Sequence, residues 1–277
     1  MSVLSNEIRR TALEMLYRAR ASHLGPSMSV IDILNAVYER VDCARIRQWQ
    51  PDRDRVFLSK GHAASALYAT LWHYGLLATD PRESYCRDGS VLAGHASHAV
   101  QGVEHSTGAL GHGLPVAVGC ALGLRSRALP GSRVYVVLGD GELQEGSNWE
   151  ALWLARHHRL SNLTVIVDAN AISSIRRTDE VIDMEPMTGV FAGMGLGVEE
   201  ARGADPDAMA AALDRLCALD RPGVLVARTV KGQGVPFAEG EPIWHYRTLD
   251  ERHFAEALAA LQLQTGAIEP RPERVPA

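Results

Sequence analysis

The chain has 277 residues, of which 46% are hydrophobic and 22% are charged, so it can bury a full core as one large domain or as two ordinary ones. The 28 Lys and Arg residues are outnumbered by 33 Asp and Glu residues, and the net charge of −5 argues against a surface that binds nucleic acid. No run of 18 apolar residues and no leader pattern with a cleavage site occurs, so we expect a cytoplasmic protein without a membrane partner.

Four cysteines are scattered along the sequence, at Cys43, Cys86, Cys120 and Cys217. None of them forms a closely spaced pair, which argues against a zinc knuckle and against a disulfide framework. We therefore interpret them as structural thiols of a protein from a reducing compartment.

The first elements follow helical and short apolar patterns. Apolar residues recur near helical spacing between Glu7 and Arg20 and predict an amphipathic helix. Ser29 with Asp32 resembles a capping box and predicts that a second helix, VIDILNAVYER, begins there. The run VFLSKGH predicts a strand or strand end, and AASALYATLWHYG predicts a helix that stops at Gly75.

A long segment without sustained periodicity follows, from about residue 79 to residue 112, and a loop of this length in a compact domain is usually functional. It contains four histidines, His95, His98, His105 and His112. A transition-metal site made by them is one alternative, but neither a cysteine nor a helical HxxxH spacing supports it. For His98 and His105 we expect ordinary surface or packing roles.

The rest of the chain alternates between helices and strands. The predicted order is a helix at 115–127, the strand RVYVVL, a helix at 145–158, the strand LTVIVD, a weaker strand at 194–199, a helix capped by Asp205 with Pro206 at its first position, and the strand GVLVART. Apolar strands that alternate with helices are typical of a parallel sheet with both faces covered. The sequence therefore predicts an α/β fold with a mostly parallel sheet and helices on both faces.

Two polar residues follow neighbouring predicted strands. Asp140 comes at the end of the first strand, within GDGELQEG, and Asn170 follows the second, within LTVIVDANAI. A single crossover helix would set these strands side by side, and ligands bind beyond the carboxyl ends of parallel strands. Carboxylate, amide and carbonyl oxygens suit Mg²⁺ or Ca²⁺, and Mg²⁺ often binds phosphates as well. Gly139 and Gly141 would let backbone amides approach phosphates, so we infer a metal-bound diphosphate, although a GDG alone is often only a turn.

Six segments resemble motifs of the transketolase family, in the order in which the family has them. They are SHLGPSMSVIDIL, LSKGHAASALYATL, LAGH, STGALGHGLPVAVGCALG, GDGELQEG with the asparagine thirty residues after its aspartate, and ARTVKGQG followed by WH. The quoted motifs lie between Ser22 and His245, and the resemblance covers essentially residues 5–250. The resemblance implies a thiamine diphosphate-binding domain, which we place at residues 1–265, followed by a flexible tail at 266–277.

The resemblance also implies roles for individual residues in cofactor binding. Asp140, Asn170 and the carbonyl oxygen of Ile172 resemble the metal ligands, and Gly141 resembles a residue that supports the diphosphate. The residues that resemble the other cofactor contacts are His62, Lys231 and His245 around the diphosphate and the thiazolium edge, and Gly108 and Leu110 at the aminopyrimidine.

Further residues resemble the family's catalytic and interface groups. His23 and His95 resemble the histidines that bond sugar hydroxyls and move protons, and His245 is the third predicted catalytic histidine. Histidine suits this task because it titrates near neutral pH. Glu145 and Glu150 resemble the buried carboxylates that connect the two active sites across the family's dimer interface.

The family's full-length enzymes continue into a second domain, which carries the glutamate that activates the cofactor, and into a third domain. Nothing after His245 resembles either of them. The resemblance therefore implies the N-terminal subunit of a split transketolase, inactive by itself, which pairs with a C-terminal subunit of roughly three hundred residues. We expect a heterotetramer with two copies of each chain that transfers a two-carbon ketol unit from a ketose to an aldehyde.

Several residues depart from the family pattern. His112 replaces a glutamine, Pro26 replaces a glycine or small polar residue, and Ser174 stands where a longer polar side chain often faces the substrate. Arg176 and Arg177 would suit either an anionic substrate group or a solvated loop. The alternatives to the pentose phosphate reaction are therefore another thiamine diphosphate carboligase with an unusual aldehyde acceptor, and a noncatalytic scaffold subunit.

Overall fold

The computed structural model describes residues 2–129 and 131–265, with side chains up to residue 263. The described helices are α1 (Val3–Ala19), α2 (Leu24–Tyr38), α3 (Cys43–Arg47), α4 (Ala64–His73), α5 (Gly113–Ser126), α6 (Gly146–His157), α7 (Met187–Gly193), α8 (Pro206–Cys217) and α9 (Glu251–Thr265). The described strands are β1 (Arg55–Leu58), β2 (Val134–Gly139), β3 (Leu163–Ala169), β4 (Gly197–Arg202) and β5 (Gly223–Arg228). The predicted tail at 266–277 lies outside the described residues.

The five strands form one parallel sheet in the order β1, β2, β3, β5, β4. The predicted parallel α/β fold is therefore confirmed. β2 and β3 are direct neighbours, with Gly139 opposite Asp168, and α6 connects them. Asp140 and Asn170 consequently leave the sheet side by side, at its carboxyl edge.

Alternate strand residues pack on opposite faces of the sheet. Val137 and Ile166 belong to an apolar cluster with residues of α1, α2, α4, α8 and α9. Val136 and Val165 belong to a second cluster with residues of α5, α6 and α7. Burial on both faces explains why β2, β3 and β5 are largely apolar, whereas the edge strand β4 (GVEEAR) is not. It also leaves the carboxyl edge of the sheet as the place where polar side chains can gather.

The predicted capping box at Ser29 and Asp32 is wrong, because α2 begins earlier, with His23 at its N-cap. Every residue of α2 is buried, and its polar side chains bind tertiary partners, although Ser29 Oγ also lies 3.2 Å from the Pro26 carbonyl oxygen of the same helix. Ser29 Oγ donates to an Asp168 carboxylate oxygen at 2.7 Å, and the Asp32 carboxylate lies 2.6 Å from a guanidinium nitrogen of Arg9.

Other boundaries follow from local capping. α1 begins before the predicted Glu7, because Ser2 caps it by accepting from the backbone N–H of Ser5 at 3.0 Å. The predicted cap of α8 is confirmed, since Asp205 accepts from the backbone N–H of Ala208 at 3.1 Å. The helices α3, α7 and α9 were not predicted. Within residues 2–129 and 131–265 we find no helix that is both long and apolar enough to span a bilayer.

Candidate functional site

A cavity of about 620 Å³ opens at the carboxyl edge of the sheet. Its volume falls within the range of about 300–1,000 Å³ that is usual for small-ligand sites. The structure brings together, as lining residues, all but one of the predicted site residues: His23, His62, His95, Gly108, Leu110, Asp140, Gly141, Glu145, Asn170, Ile172, Lys231 and His245. The exception is Glu150, which is not part of the lining.

Asp140 is a buried carboxylate at the end of β2. Its oxygens accept from the backbone N–H groups of Gly141, at 2.8 Å, and of Ala171, at 2.5 Å. Burial raises its pKa to about 6, and the nearby carboxylate of Asp168 adds to this effect, while the two N–H groups and Lys60 oppose it. A cation beside Asp140 would therefore stabilise its ionised form.

Two further oxygens of this edge follow β3. The Asn170 side-chain oxygen accepts from the backbone N–H of Ile172 at 3.1 Å, and its amide nitrogen lies 3.5 Å from Ser29 Oγ. Between them, Ala171 has a φ of 63°, which turns the chain sharply after the strand. The Ile172 carbonyl oxygen accepts from Lys231 Nζ at 3.1 Å, and a carbonyl oxygen can accept a second partner as well.

The alternative of a transition-metal site in the long loop gains no support. Among the residues that the structure describes, no three His, Cys, Asp or Glu side chains are grouped so that they could hold a metal ion. His98 Nδ1 instead contacts Ser106 Oγ at 2.7 Å, and His112 Nδ1 contacts the Leu110 carbonyl oxygen at 3.0 Å. A metal at this edge would depend on the single carboxylate of Asp140 together with amide and carbonyl oxygens.

Four of the predicted histidines form one cluster in the cavity. The ring of His23 lies at the centre, with centroid distances of 5.6 Å to His62, 5.4 Å to His95 and 5.2 Å to His245. The rings of His62 and His245 are 5.1 Å apart. These side chains come from four separate segments of the sequence, so only the folded chain brings them together.

Burial keeps three of these rings neutral. It is the largest cause that lowers the pKa of His23 to about 4, of His245 to about 3, and of His62 well below its usual value. Neighbouring positive charge adds to burial, from Lys231 for His23 and His245, and from Lys60 for His62. At neutral pH each ring therefore has one donor and one acceptor nitrogen, and the acceptor nitrogen of His245 contacts Lys231 Nζ at 3.3 Å.

Close backbone packing holds the histidine segments in place. His23 has a φ of 76°, and its N–H donates to the carbonyl oxygen of His245 at 2.9 Å. His62 lies in a 3-10 turn, Gly61–Ala63, directly after β1. A Cβ atom on Gly61 would lie 2.6 Å from the backbone carbon of Thr107, so the long loop can approach this turn only because residue 61 is glycine.

Lys231 reaches the site from the loop after β5. Its ammonium group donates to the carbonyl oxygens of Ile172, at 3.1 Å, and of Ser173, and to His245 Nδ1 at 3.3 Å. Burial lowers its pKa to about 8, and the positive charge of Lys60 contributes, while Asp140 and other carboxylate charge oppose the shift. The ammonium group is therefore held beside one of the predicted metal ligands.

A buried polar network surrounds Asp168, and no sequence motif indicated it. Lys60 Nζ donates to an Asp168 carboxylate oxygen at 2.5 Å, Ser29 Oγ donates to the same oxygen, and Thr229 Oγ1 donates to the other. Lys60 and Asp168 are 108 residues apart in the sequence. The available signal was an aspartate inside the otherwise apolar strand LTVIVDA, all of which is buried.

Glu142 was also missed, and it connects two parts of the site. It lies in a 3-10 turn, Gly141–Gln144, that precedes α6, and this helix begins at Gly146 with the predicted Glu145 as its N-cap. The Glu142 carboxylate accepts from Ser59 Oγ and from the backbone N–H groups of Gly111, at 3.0 Å, and of Gly139, at 3.1 Å. Burial raises its pKa. It thereby joins the loop that carries the predicted aminopyrimidine contacts to the end of β2.

The two predicted interface carboxylates are both exposed in the single chain. Glu145 lines the cavity, whereas Glu150 lies on the outer face of α6. The same helix exposes Trp153 and Leu154, and α5 beside it exposes Val116. Burial of the two glutamates between subunits stays a prediction.

Comparison with known proteins gives the class of this protein. The family model described as "Transketolase, thiamine diphosphate binding domain" matches residues 2–269. The chain belongs to this family, as its six motifs indicated.

Individual relatives agree with the assignment. Over 265 residues the chain is 34% identical to an apulose-4-phosphate transketolase subunit of Phocaeicola vulgatus, covering 93% of this chain and 92% of the relative. It is 33% identical to the 6-deoxy-6-sulfo-D-fructose transketolase subunit SqwG of Clostridium sp. strain MSTE9, covering 93% and 94%. The crystal structure of transketolase from Campylobacter jejuni superposes with a TM-score of 0.83 and 27% identity, and covers 94% of this chain. The chain spans 43% of the length of that transketolase.

Proposed function

We propose that the chain is the diphosphate-binding subunit of a two-component transketolase that transfers a two-carbon ketol unit from a ketose to an aldehyde. The observation that carries this proposal is the arrangement of one cavity, in which Asp140 and Asn170 at adjacent strand ends lie with four clustered histidines. The thiamine diphosphate-binding domain is proposed to comprise residues 1–265.

The residues present fit a metal-bound diphosphate. Asp140, Asn170 and the Ile172 carbonyl oxygen form an oxygen-only set, which favours Mg²⁺ or Ca²⁺. The raised pKa of Asp140, caused by burial and by Asp168, is the shift that a bound cation would reverse. We propose that these three residues hold the metal.

Other residues would bind the organic part of the cofactor. Thiamine diphosphate supplies an electron sink that allows the carbon–carbon bond next to a ketose carbonyl to break. We propose that Gly141 and Lys231 support its diphosphate and that Gly108 and Leu110 contact its aminopyrimidine. Burial keeps the His62 ring neutral, so this ring would contact the cofactor by hydrogen bonds from its nitrogen atoms and not by an ionic interaction.

The remaining clustered histidines would act on the substrates. His23, His95 and His245 lie around one part of the cavity, and the first and last of them are neutral at neutral pH. A neutral imidazole can bond a hydroxyl group through its donor or its acceptor nitrogen, but the lowered pKa values of His23 and His245 make these rings weaker proton acceptors than a histidine that titrates near neutral pH. We propose that these three rings orient the sugar hydroxyls and move protons at the donor hydroxyl and at the acceptor aldehyde.

The proposed enzyme also requires a partner subunit. Two relatives of nearly the same length are named as transketolase subunits, which supports a split arrangement. The partner would supply the pyrimidine domain with its activating glutamate and a C-terminal domain. A heterotetramer with two copies of each chain would bury Glu145 and Glu150 together with the exposed Trp153 and Leu154. We propose a cytoplasmic location and leave the acceptor aldehyde open, since the relatives' names point to different sugars.

The proposal is tested by co-expression with a chain that carries the pyrimidine domain. We expect ketol transfer from a ketose to an aldehyde by the purified complex, and none by this chain alone. We also expect Asp140→Asn to weaken the Mg²⁺-dependent binding of thiamine diphosphate by about 10-fold or more in calorimetry. Asp207→Asn, at an exposed position of α8, is the control. Activity of the isolated chain, or an Asp140→Asn variant with unchanged affinity, would contradict the proposal.

A further inference from the structure

Lys60 is the most deeply buried cation of the cavity, and none of the roles above uses it. It lies between β1 and the turn Gly61–Ala63, its side chain is only 2% exposed, and it is nevertheless one of the residues that line the cavity. A buried lysine is costly unless its charge and its donors are satisfied. The hydrogen-bond partners of Lys60 therefore indicate which kind of ligand this part of the cavity can bind.

The donors of Lys60 are only partly satisfied by the protein. An ammonium group has three N–H donors. Lys60 Nζ donates to Asp168 at 2.5 Å and to the Pro26 carbonyl oxygen at 3.2 Å. Among the residues that the structure describes, it has no third acceptor. Lys231 differs, because its three donors all have protein partners.

Asp168 does not depend on Lys60 alone. Its carboxylate also accepts from the hydroxyl groups of Ser29 and Thr229, so three side chains stabilise its charge. These partners come from α2, from the end of β1 and from the end of β5. The network therefore fixes the ammonium group of Lys60 in position and leaves one of its donors available.

The charge of Lys60 acts on the rest of the cavity. After burial, it is the largest cause that lowers the pKa values of His62 and Lys231, and it also opposes the rise in the pKa of Asp140. Its field therefore reaches both the predicted metal ligand and the predicted diphosphate residue. Lys60 and Lys231 both line the cavity, so an anion bound there would be attracted by the positive charge of both.

We propose that Lys60 binds the diphosphate group of the cofactor through its free donor, with Asp168, Ser29 and Thr229 as the positioning residues that hold it. This inference rests on the proposed function, in which a metal-bound diphosphate occupies the cavity. The ligand class it assigns to Lys60 is a diphosphate anion. The thiamine part of the cofactor makes no use of this donor.

The test separates anion binding from simple neutralisation of Asp168. Lys60→Met alone leaves a buried carboxylate without its cation and can fail to fold. The double variant Lys60→Met/Asp168→Asn removes both charges and keeps the approximate volume. Calorimetry of the full-length chain with Mg²⁺-pyrophosphate, with Mg²⁺-thiamine diphosphate and with unphosphorylated thiamine then reports the part of the affinity that comes from the phosphates.

We expect the double variant to bind pyrophosphate and thiamine diphosphate about 10- to 100-fold more weakly than the original chain, the usual effect of losing one hydrogen bond to a charged group. Its affinity for thiamine should change less than about threefold. The control is Arg53→Met/Glu104→Gln, which removes another largely buried ion pair, 2.9 Å long and outside the cavity, together with the 3.6 Å contact between Glu104 and Arg55. It should lower the melting temperature without changing pyrophosphate affinity.

Two outcomes would overturn the inference in different ways. If the original chain binds pyrophosphate and the double variant, with a cooperative unfolding transition, binds it equally well, Lys60 only neutralises Asp168 and the proposed function stands. If the original chain binds neither Mg²⁺-pyrophosphate nor Mg²⁺-thiamine diphosphate, alone or with its partner, the proposed function fails and this inference fails with it.

Discussion

Replacing Glu142 by glutamine tests how the site is assembled, because this buried carboxylate accepts hydrogen bonds from three donors. One is Ser59 Oγ at the end of β1, and the others are the N–H groups of Gly111 and Gly139. Glutamine has one carbonyl oxygen to accept with, and its amide group would direct N–H donors towards at least one of the existing donors. The variant therefore leaves buried donors without acceptors while it keeps the side-chain volume.

The expected cost follows from counting these donors. A buried donor that loses its acceptor costs about 1–3 kcal/mol, and one or two of the three would be affected. Burial raises the pKa of this carboxylate, which means that its charge is unfavourable in the folded chain, so removing the charge offsets part of the loss. We expect Glu142→Gln to lower the free energy of unfolding by about 2 kcal/mol, and Glu142→Ala, which removes every acceptor, by about 3–5 kcal/mol. Both are large fractions of the roughly 5–15 kcal/mol that is typical for a domain.

Urea unfolding at pH 7 measures these losses, with the exposed Glu256→Gln on α9 as the control. Because the Glu142 carboxylate holds Gly111, the variant should also loosen the loop that carries Gly108 and Leu110. Affinity for thiamine diphosphate should then fall more than affinity for pyrophosphate. A Glu142→Gln variant that matches the original chain in both unfolding free energy and ligand affinity would refute the reasoning.

The remaining predictions concern packing and pH. Gly61→Ala should cost about 2 kcal/mol or more in unfolding free energy, since its Cβ would lie 2.6 Å from the Thr107 backbone, whereas Gly123→Ala, in open space on α5, should not destabilise. The unfolding free energy should fall between pH 6.5 and pH 4 because unfolding raises the pKa of His23 from about 4, so the unfolded chain binds the extra proton. Asp140 has a folded pKa of about 6 and changes the unfolding free energy in the opposite direction. The test therefore compares how steeply the unfolding free energy depends on pH in His23→Asn and in the original chain. Equal slopes would exclude a contribution from His23.

The sequence predicted those parts of the molecule that depend on local pattern. Continuous apolar strands and the polar residues after them predicted the parallel sheet and the proximity of Asp140 to Asn170, and the structure places both at the edge of neighbouring strands. The cap at Asp205 was predictable because an N-cap involves only residues a few positions apart. The motif resemblance added the histidines, which have no local pattern in common.

What the sequence could not predict depends on distant partners. The Lys60–Asp168 pair joins residues from two strand ends, and nothing near either of them in the sequence identifies the other. The same reason explains the wrong capping box, since Ser29 resembles a cap locally but its hydroxyl donates to Asp168 across the fold. Glu142 resembled an ordinary acid before a helix, and only the folded loop places the N–H of Gly111 against it.

The electrostatics of the cavity provide an argument for its ligand that is independent of the motifs. Burial moves the pKa of Asp140 up to about 6 and that of Lys231 down to about 8, so each group is shifted towards its neutral form. A ligand with a single sign of charge would stabilise the charged form of one of these groups and destabilise that of the other, because both groups line the same cavity. A ligand that presents a divalent cation to Asp140 and an anion to Lys60 and Lys231 would favour all three charged forms together. A metal-bound diphosphate has this pair of charges, whereas a neutral sugar or a lone anion does not.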